Sequence, residues 1–216
     1  MRLRLLALVV AGLFVSLSAR AGNIVANGSL EDLNSDFVNT SGNYMSLLAG
    51  STAIADWTVS AGTTNEIVWA KSPTVDDHNA ADGTFFVDLT GFGGDSPNGA
   101  IQQTLQMGVG QQYLFSTDVE VSGTLPLVTV GGVAVPLMAG SPFVVGVDTW
   151  TPETGLFTAT STSEVLSIAN QQRGEEVDFV DNISVIGPEP GTVTLLVIAL
   201  AGIGSLRCLK RVRLSS

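Results

Sequence analysis

The stretch Ala80–Leu89, AADGTFFVDL, joins a turn directly to a β-strand. Asp82 and Gly83 form a turn signal, because this dipeptide tolerates the backbone conformations that tight turns require. Beyond the turn, strand alternation places Phe86 and Asp88 on one face and the apolar residues between and beside them on the other. The stretch therefore predicts a strand that begins immediately after a turn.

Similar short runs, rich in Thr, Val, Phe and Ile, recur along the chain between Gly, Asn, Asp, Ser and Pro. No stretch outside the two ends shows convincing helical spacing of apolar residues. About nine short strands in roughly 165 residues predict an all-β fold, a jelly-roll β-sandwich. The expected strands are Asp56–Val59, Glu66–Trp69, Thr84–Leu89, Ala100–Leu105, Gln112–Val121, Leu127–Val135, Leu156–Ala159, Val165–Ala169 and Val177–Val185.

The first 21 residues have the three parts of a secretory signal peptide. Arg2 and Arg4 form a positive start, Leu5–Leu17 is apolar, and Ala19 and Ala21 mark an A-x-A cleavage site. We expect the Sec machinery to export the chain and the mature domain to run from 22 to 187. A domain of this size buries a proper core.

Residues 188–216 have a different three-part organisation. The triplet Pro188, Glu189, Pro190 precedes an apolar run at 192–206, and a basic tail at 207–216 follows. As a helix the run would span about 22 Å, short of a hydrocarbon core of about 30 Å. The basic tail predicts a cytoplasmic C-terminus. A buried core helix is the alternative, which the four cations directly after the run disfavour.

This arrangement resembles the PEP-CTERM sorting signal of Gram-negative bacteria. The resemblance implies that an exosortase recognises Pro188, Glu189 and Pro190 and removes the tail after transient anchoring in the inner membrane. The product would reach the cell surface or extracellular matrix. Cys208, the only cysteine, lies in this tail, so the exported domain would have no thiol chemistry.

Removing both ends leaves a strongly acidic domain. Its cations are Lys71 and Arg173, and with 19 acidic residues the net charge is −17. This balance excludes nucleic acid as a partner, since phosphate binding requires a basic surface. It favours solubility and attracts divalent cations, although solvated surface acidity accounts for most of the carboxylates.

Six motifs follow one another in the domain: NIVANGSLE (23–31), IADWTV (54–59), AADGTFFVDL (80–89), GAIQQT (99–104), GQQYLF (110–115) and VDFVDNISV (177–185). Their order resembles galactose-binding-like jelly rolls of secreted bacterial proteins, including choice-of-anchor domains and carbohydrate-binding modules. Leu30 departs from the aromatic usual in that family. The resemblance implies a structural Ca²⁺ held by Glu31 and Asp181, with Asp178 as a third ligand. The alternative is that Asp181 only initiates the last strand or caps a turn.

Several further polar and aromatic residues bear on function. Trp57 and Trp69 follow strand periodicity, which favours the core over sugar stacking. At least one amide of Gln102 and Gln103 is expected to face solvent or a partner. His78, the only histidine, stands in a polar loop, where a surface role is favoured over a metal ligand or a base.

No catalytic motif is present in the sequence. The sequence therefore predicts a non-catalytic exported surface or matrix protein that contacts carbohydrate or exopolysaccharide. The alternative is a secreted polysaccharide-acting hydrolase. Few aromatic residues are available for stacking, which favours a structural or adhesive role over tight sugar binding.

Overall fold

The computed structural model describes residues 22–60, 66–91, 99–171 and 178–187, and all regular structure within these ranges is β. A compact unit extends from Asn23 to Gly187. Among the described residues, no helix is long and apolar enough to cross a membrane. Ala19, Ala21, the triplet Pro188–Pro190, the apolar run and the basic tail lie outside the described residues.

The described residues form thirteen strands, all paired antiparallel. They are β1 (Tyr44–Leu48), β2 (Thr58–Val59), β3 (Glu66–Lys71), β4 (Phe85–Asp88), β5 (Ala100–Gln106), β6 (Gln112–Val121), β7 (Leu127–Val130), β8 (Val133–Ala134), β9 (Met138–Ala139), β10 (Phe143–Val145), β11 (Asp148–Thr158), β12 (Ser163–Ala169) and β13 (Asp178–Ile186).

Two sheets form from these strands and pack on one core. The larger has the order β1-β3-β4-β13-β6-β11-β10, with β9 also paired to β11, and the smaller has the order β2-β5-β12-β7-β8. Trp69, Val87 and Phe115 from the larger sheet meet Ile101 and Leu166 from the smaller one in the main apolar cluster. The all-β sandwich predicted from the sequence is confirmed.

The strand after the Asp-Gly turn contributes to two apolar clusters, as its alternation predicts. Phe85, Val87 and Leu89 pack into the main core between the sheets. Phe86 lies on the other face with Trp150, Phe179, Ala70 and Ala80. The larger sheet is therefore covered on its outer face too, and the loop at 72–82 contributes to this cover.

The expected strands omit β1, β9 and β10, and the structure differs from the expectation in two further places. The run expected from 127 to 135 is a hairpin, because Gly131 and Gly132 turn the chain with φ of 58° and 80°. β11 begins eight residues before the expected Leu156, at Asp148. β11 includes Gly155, although glycine usually weakens a strand. Glycine is required at this position because a Cβ would lie 2.6 Å from Val135 Cγ1.

Candidate functional site

An open cleft of about 650 Å³ lies on the outer face of the smaller sheet. On β5, Ile101 and Leu105 point into the core, so alternation directs Gln102, Thr104 and Gln106 outward into the cleft. Its remaining lining is Ile24, Ala26, Asp56, Thr58, Gln103 and Val165. The cleft floor is therefore a row of amides and hydroxyls.

Gln103 builds one wall of the cleft by fixing the N-terminal segment to the sheet. Its Oε1 accepts a hydrogen bond from the amide of Ala26 at 2.9 Å, and its Nε2 donates to the carbonyls of Ala26 at 2.9 Å and Asp56 at 3.0 Å. The amide of Gln103 is thus used inside the fold. Gln102, its neighbour in the sequence, lines the cleft and is the amide open to a partner.

The aromatic side chains follow the expectation from strand periodicity. Trp57 and Trp69 are buried in the main core, and Trp150 is buried in the second cluster. Trp57 Nε1 donates to the carbonyl of Asn27 at 2.9 Å, which ties the indole to the opening segment. No tryptophan in the described ranges is exposed, so none is available to stack on a sugar.

Glu31, one predicted calcium ligand, anchors the start of β4. Its Oε1 accepts hydrogen bonds from the amides of Thr84 at 2.7 Å and Phe85 at 2.6 Å. Gly83 packs directly on this carboxyl, because a Cβ there would lie 2.6 Å from Oε1. Hydrogen bonds from described residues reach Oε1 only, which leaves Oε2 for another partner.

Asp181, the second predicted ligand, reaches the same turn from β13. Its Oδ2 accepts from the amide of Asp82 at 2.9 Å, and its Oδ1 accepts from the amide of Asn182 at 2.6 Å. Burial raises the pKa of Asp181 to about 8, the amide hydrogen bonds oppose the rise, and the charge of Glu31 adds to it. Glu31 and Asp181 therefore approach one another across the turn at 80–83.

Two more carboxyls stand beside this pair. Asp118 is directly opposite Asp181 in the ladder between β6 and β13, and its Oδ2 accepts from Asn182 Nδ2 at 3.0 Å. The pKa of Asp118 is raised, first by burial and further by the charge of Asp82. We name Glu31, Asp82, Asp118 and Asp181 the turn cluster.

Asp178, the third predicted ligand, does not join the turn cluster. It stands three residues before Asp181 on β13, so alternation turns it to the opposite face, where it pairs with Val121. It is fully buried, and among the described residues neither of its carboxyl oxygens has a hydrogen-bond partner. Burial raises its pKa to about 8, and the charge of Asp88 contributes further.

A group missed by the sequence analysis lies on the outer face of the larger sheet. His78 Nδ1 is 2.6 Å from Asp148 Oδ1, and Glu120 stands beside them, so that one ligand atom from each residue lies within 4.8 Å of the others. Burial first, and then contact with Asp148, raise the pKa of Glu120 to about 7. No sequence signal could have revealed this group, because its members are tens of residues apart.

The described residues thus define a β-sandwich with a polar cleft and two carboxyl-rich groups. No family model matches the chain. It is 31% identical to halomucin of Haloquadratum walsbyi over 179 residues, which cover 79% of this chain and 2% of halomucin. The match therefore spans only a small part of that relative.

Two solved structures are similar in fold. A domain of tailspike protein 4 of bacteriophage CBA120 is 16% identical with a TM-score of 0.46, covering 77% of this chain and 21% of that chain. The module TmCBM61, solved with β-1,4-galactotriose, is 15% identical with a TM-score of 0.39, covering 77% of this chain and 99% of that chain. No functional statement follows from likeness at this level.

Proposed function

We propose that the chain is a non-catalytic, exported surface or extracellular-matrix protein whose sandwich contacts a polysaccharide through the cleft on the smaller sheet. The observation that carries this proposal is the floor of that cleft, where Gln102, Thr104 and Gln106 stand in one row. Amides and hydroxyls both donate and accept hydrogen bonds, which matches the hydroxyls of a saccharide. The open shape admits a chain that continues beyond the site at both ends.

The absence of an exposed tryptophan among the described residues sets the expected strength of binding. Stacking on an aromatic ring would otherwise contribute about 0.5–1.5 kcal/mol beyond area burial. Hydrogen bonds alone exchange contacts with water for contacts with protein and leave a small net gain for each bond. We therefore expect weak binding by one domain, with dissociation constants near 1 mM. Such binding suits attachment through many copies on a matrix.

A polysaccharide pull-down series and a glycan array on the full chain test this proposal. The double variant Gln102→Ala/Gln106→Ala removes two amides from the cleft floor and is expected to abolish retention. Gln171→Ala is the matched control, since Gln171 is an exposed glutamine outside the cleft whose amide bonds the carbonyl of Leu125. Retention that survives loss of both cleft amides would exclude the cleft as the glycan site.

The hydrolase alternative predicts turnover in the same assay. Glycosidases place their two carboxyls about 5–9.5 Å apart, to leave room for the sugar or for water. A carboxyl oxygen of Glu120 instead lies within 4.8 Å of one of Asp148, which is closer than either arrangement. Release of reducing ends from a retained polysaccharide would nevertheless replace the binding proposal with the enzymatic one.

Export and sorting belong to the same proposal. The acidic domain has no cysteine, and the match to a relative named as a mucin supports an extracellular placement. We expect cleavage after Ala21 and removal of the tail by an exosortase near the triplet Pro188, Glu189, Pro190. Mass spectrometry of the protein from its native cells tests this. A C-terminus that still ends in Ser216 would contradict the removal of the tail.

A structural Ca²⁺ at the turn cluster completes the proposal. Glu31 and Asp181 would hold the ion, and Asp82 and Asp118 are the further carboxyls of the turn cluster, since Ca²⁺ takes six to eight oxygen ligands. Binding would neutralise charges that burial disfavours and so stabilise the turn before β4. We expect EDTA to lower the melting temperature of the wild type. Adding excess CaCl₂ to the EDTA-treated protein should restore that melting temperature and should not raise that of Glu31→Gln. A melting temperature of the wild type that EDTA leaves unchanged would contradict the site.

A further inference from the structure

His78, Glu120 and Asp148 form a second group of metal-ligand type. It shares no residue with the turn cluster, although Glu120 stands two residues beyond Asp118 on the same face of β6. We propose that these three side chains bind a first-row divalent transition-metal ion, with Zn²⁺ as the representative ion. The group combines one imidazole with two carboxylates, and both kinds of side chain are ligands of Zn²⁺ in proteins. None of the three residues takes part in the cleft or in the turn cluster.

The spacing of the donor atoms suits one ion. In a tetrahedral zinc site with bonds of about 2.0–2.2 Å, neighbouring donor atoms lie about 3.3 Å apart. The three donor atoms here lie within 4.8 Å of one another. His78 Nδ1 is 2.6 Å from Asp148 Oδ1, so these two atoms form a hydrogen bond and would have to separate by about 0.7 Å for both to bind one ion. A small rotation of the partly exposed imidazole provides this separation while Asp148 stays fixed.

The carboxyl of Glu120 supplies an independent reason for a cation. Its Oε2 is buried without a hydrogen-bond partner, and its Oε1 receives only a long hydrogen bond of 3.4 Å from the amide of Thr149. A carboxyl oxygen of Glu120 also lies within 4.8 Å of one of Asp148. Two carboxylates this close repel each other unless a cation or proton lies between them. Lys71, the only Lys or Arg of the described ranges, is directed at Phe85 instead.

The ligands are held in position by the surrounding fold. Asp148 is buried, and its Oδ2 accepts a hydrogen bond from the amide of Asn79 at 2.5 Å. The carbonyl of Asn79 in turn accepts from Trp150 Nε1 at 3.0 Å. The imidazole of His78 packs edge-on against Phe179 at 4.8 Å. Fixed outer partners of this kind orient metal ligands in known sites.

The site is open to solvent on one side. The side chain of His78 is 26% exposed and that of Asp148 is 1% exposed, so an ion can enter past the imidazole while the carboxylate stays fixed. Three protein ligands leave at least one coordination position for water or for a ligand from a partner. The imidazole favours Zn²⁺ over Ca²⁺ and Mg²⁺, which prefer oxygen ligands alone.

The histidine provides a direct test, since it is the only one in the chain. Titration of the full-length protein with ZnCl₂, after removal of bound metal with EDTA, is followed through the imidazole ¹H–¹⁵N and ¹H–¹³C signals of His78. We expect these signals to shift and saturate at one Zn²⁺ per chain. Excess Ca²⁺ should not reverse the shift. Imidazole signals that do not respond to Zn²⁺ would overturn the proposal, whatever else binds the ion.

Variants assign the carboxylate ligand. Glu120→Gln should weaken Zn²⁺ binding at least tenfold in isothermal titration calorimetry, and it leaves a side chain of the same shape. Asp77→Asn is the matched control, because Asp77 precedes His78 in the same loop, is exposed and lies outside the group. Its affinity should equal that of the wild type. Equal affinities for Glu120→Gln and the wild type would refute the assignment.

Discussion

Replacing Asp178 with Asn tests how the fold tolerates a carboxyl that is buried without donors. Asp178 is fully buried, and both carboxyl oxygens lack a hydrogen-bond partner. Its pKa is raised from 3.8 to about 8, first by burial and then by the charge of Asp88. The folded protein therefore favours the protonated form, while the unfolded chain ionises near the ordinary value.

The direction of the pH dependence follows from this difference. A group with a raised pKa contributes its full stability below the unfolded pKa, and the contribution is lost as the pH rises toward the folded pKa. The slope for one proton is about 1.36 kcal/mol per pH unit. Between pH 5 and pH 8 the Asp178 carboxyl would therefore cost about 4 kcal/mol of unfolding free energy. This is an upper limit, since buried sites relax around a charge.

Urea denaturation of the full-length wild type and of Asp178→Asn at pH 5, 6.5 and 8, in EDTA, measures this cost. Asn has no proton to lose and resembles the protonated acid in shape, so the variant should match the wild type at pH 5 and exceed its stability at pH 8. Asp36→Asn, at an exposed position, should follow the wild type at every pH. An Asp178→Asn variant that is less stable than the wild type at pH 8 would refute the reasoning.

Two further predictions concern single positions. Gly28→Ala should destabilise the fold by about 2–4 kcal/mol in urea denaturation, because its Cβ would lie 1.8 Å from the carbonyl oxygen of Ile183. Gly140→Ala is the control, since the atom nearest to its Cβ would be 3.2 Å away. Equal losses of stability in the two variants would contradict the steric explanation. Glu164→Gln should cost about 1 kcal/mol at neutral pH. Burial alone would raise the pKa of Glu164, but hydrogen bonds from Thr160 and Ser161 outweigh it and lower the pKa. The difference between variant and wild type should therefore disappear as the pH falls below 4, opposite in direction to Asp178, and a difference that persists in acid would exclude the charged hydrogen bonds as its cause.

Much of the fold could be predicted because strand patterning is local. Strand alternation alone predicts that Phe85 and Phe86 point to opposite faces of the sheet, and strand periodicity predicts that Trp57 lies in the core. The structure shows both. β1 was missed although Gly42, Asn43 and Gly50 bound it with turns. Tyr44–Leu48 shows no alternation of apolar and polar residues, and its pairing with β3 defines it. The early part of β11 was missed because Pro152 and Gly155 read as strand breakers.

Some contacts of the candidate sites could likewise be predicted from the sequence, and others could not. Glu31 and Asp181 were placed together by resemblance, and the structure does bring them to one turn. Alternation along the last strand separates Asp178 from Asp181, a fact that spacing alone could have revealed. The contact of His78 with Asp148 depends on the loop at 72–82 folding over the larger sheet. That contact is tertiary and leaves no trace in local sequence.

The buried carboxyls show why acidity in this domain is more than surface solvation. Glu164 and Asp181 are both buried, and backbone amides donate hydrogen bonds to each. Asp178 receives none, and Glu120 has one unpaired buried oxygen. Donors compensate a carboxylate for lost water, and a carboxylate without donors needs a proton or a metal ion. At the turn cluster and at the group of His78, Glu120 and Asp148, the proposed divalent ions would supply the positive charge that lets carboxylates stay ionised at neutral pH, whereas Asp178 lies in neither group and is expected to take up a proton.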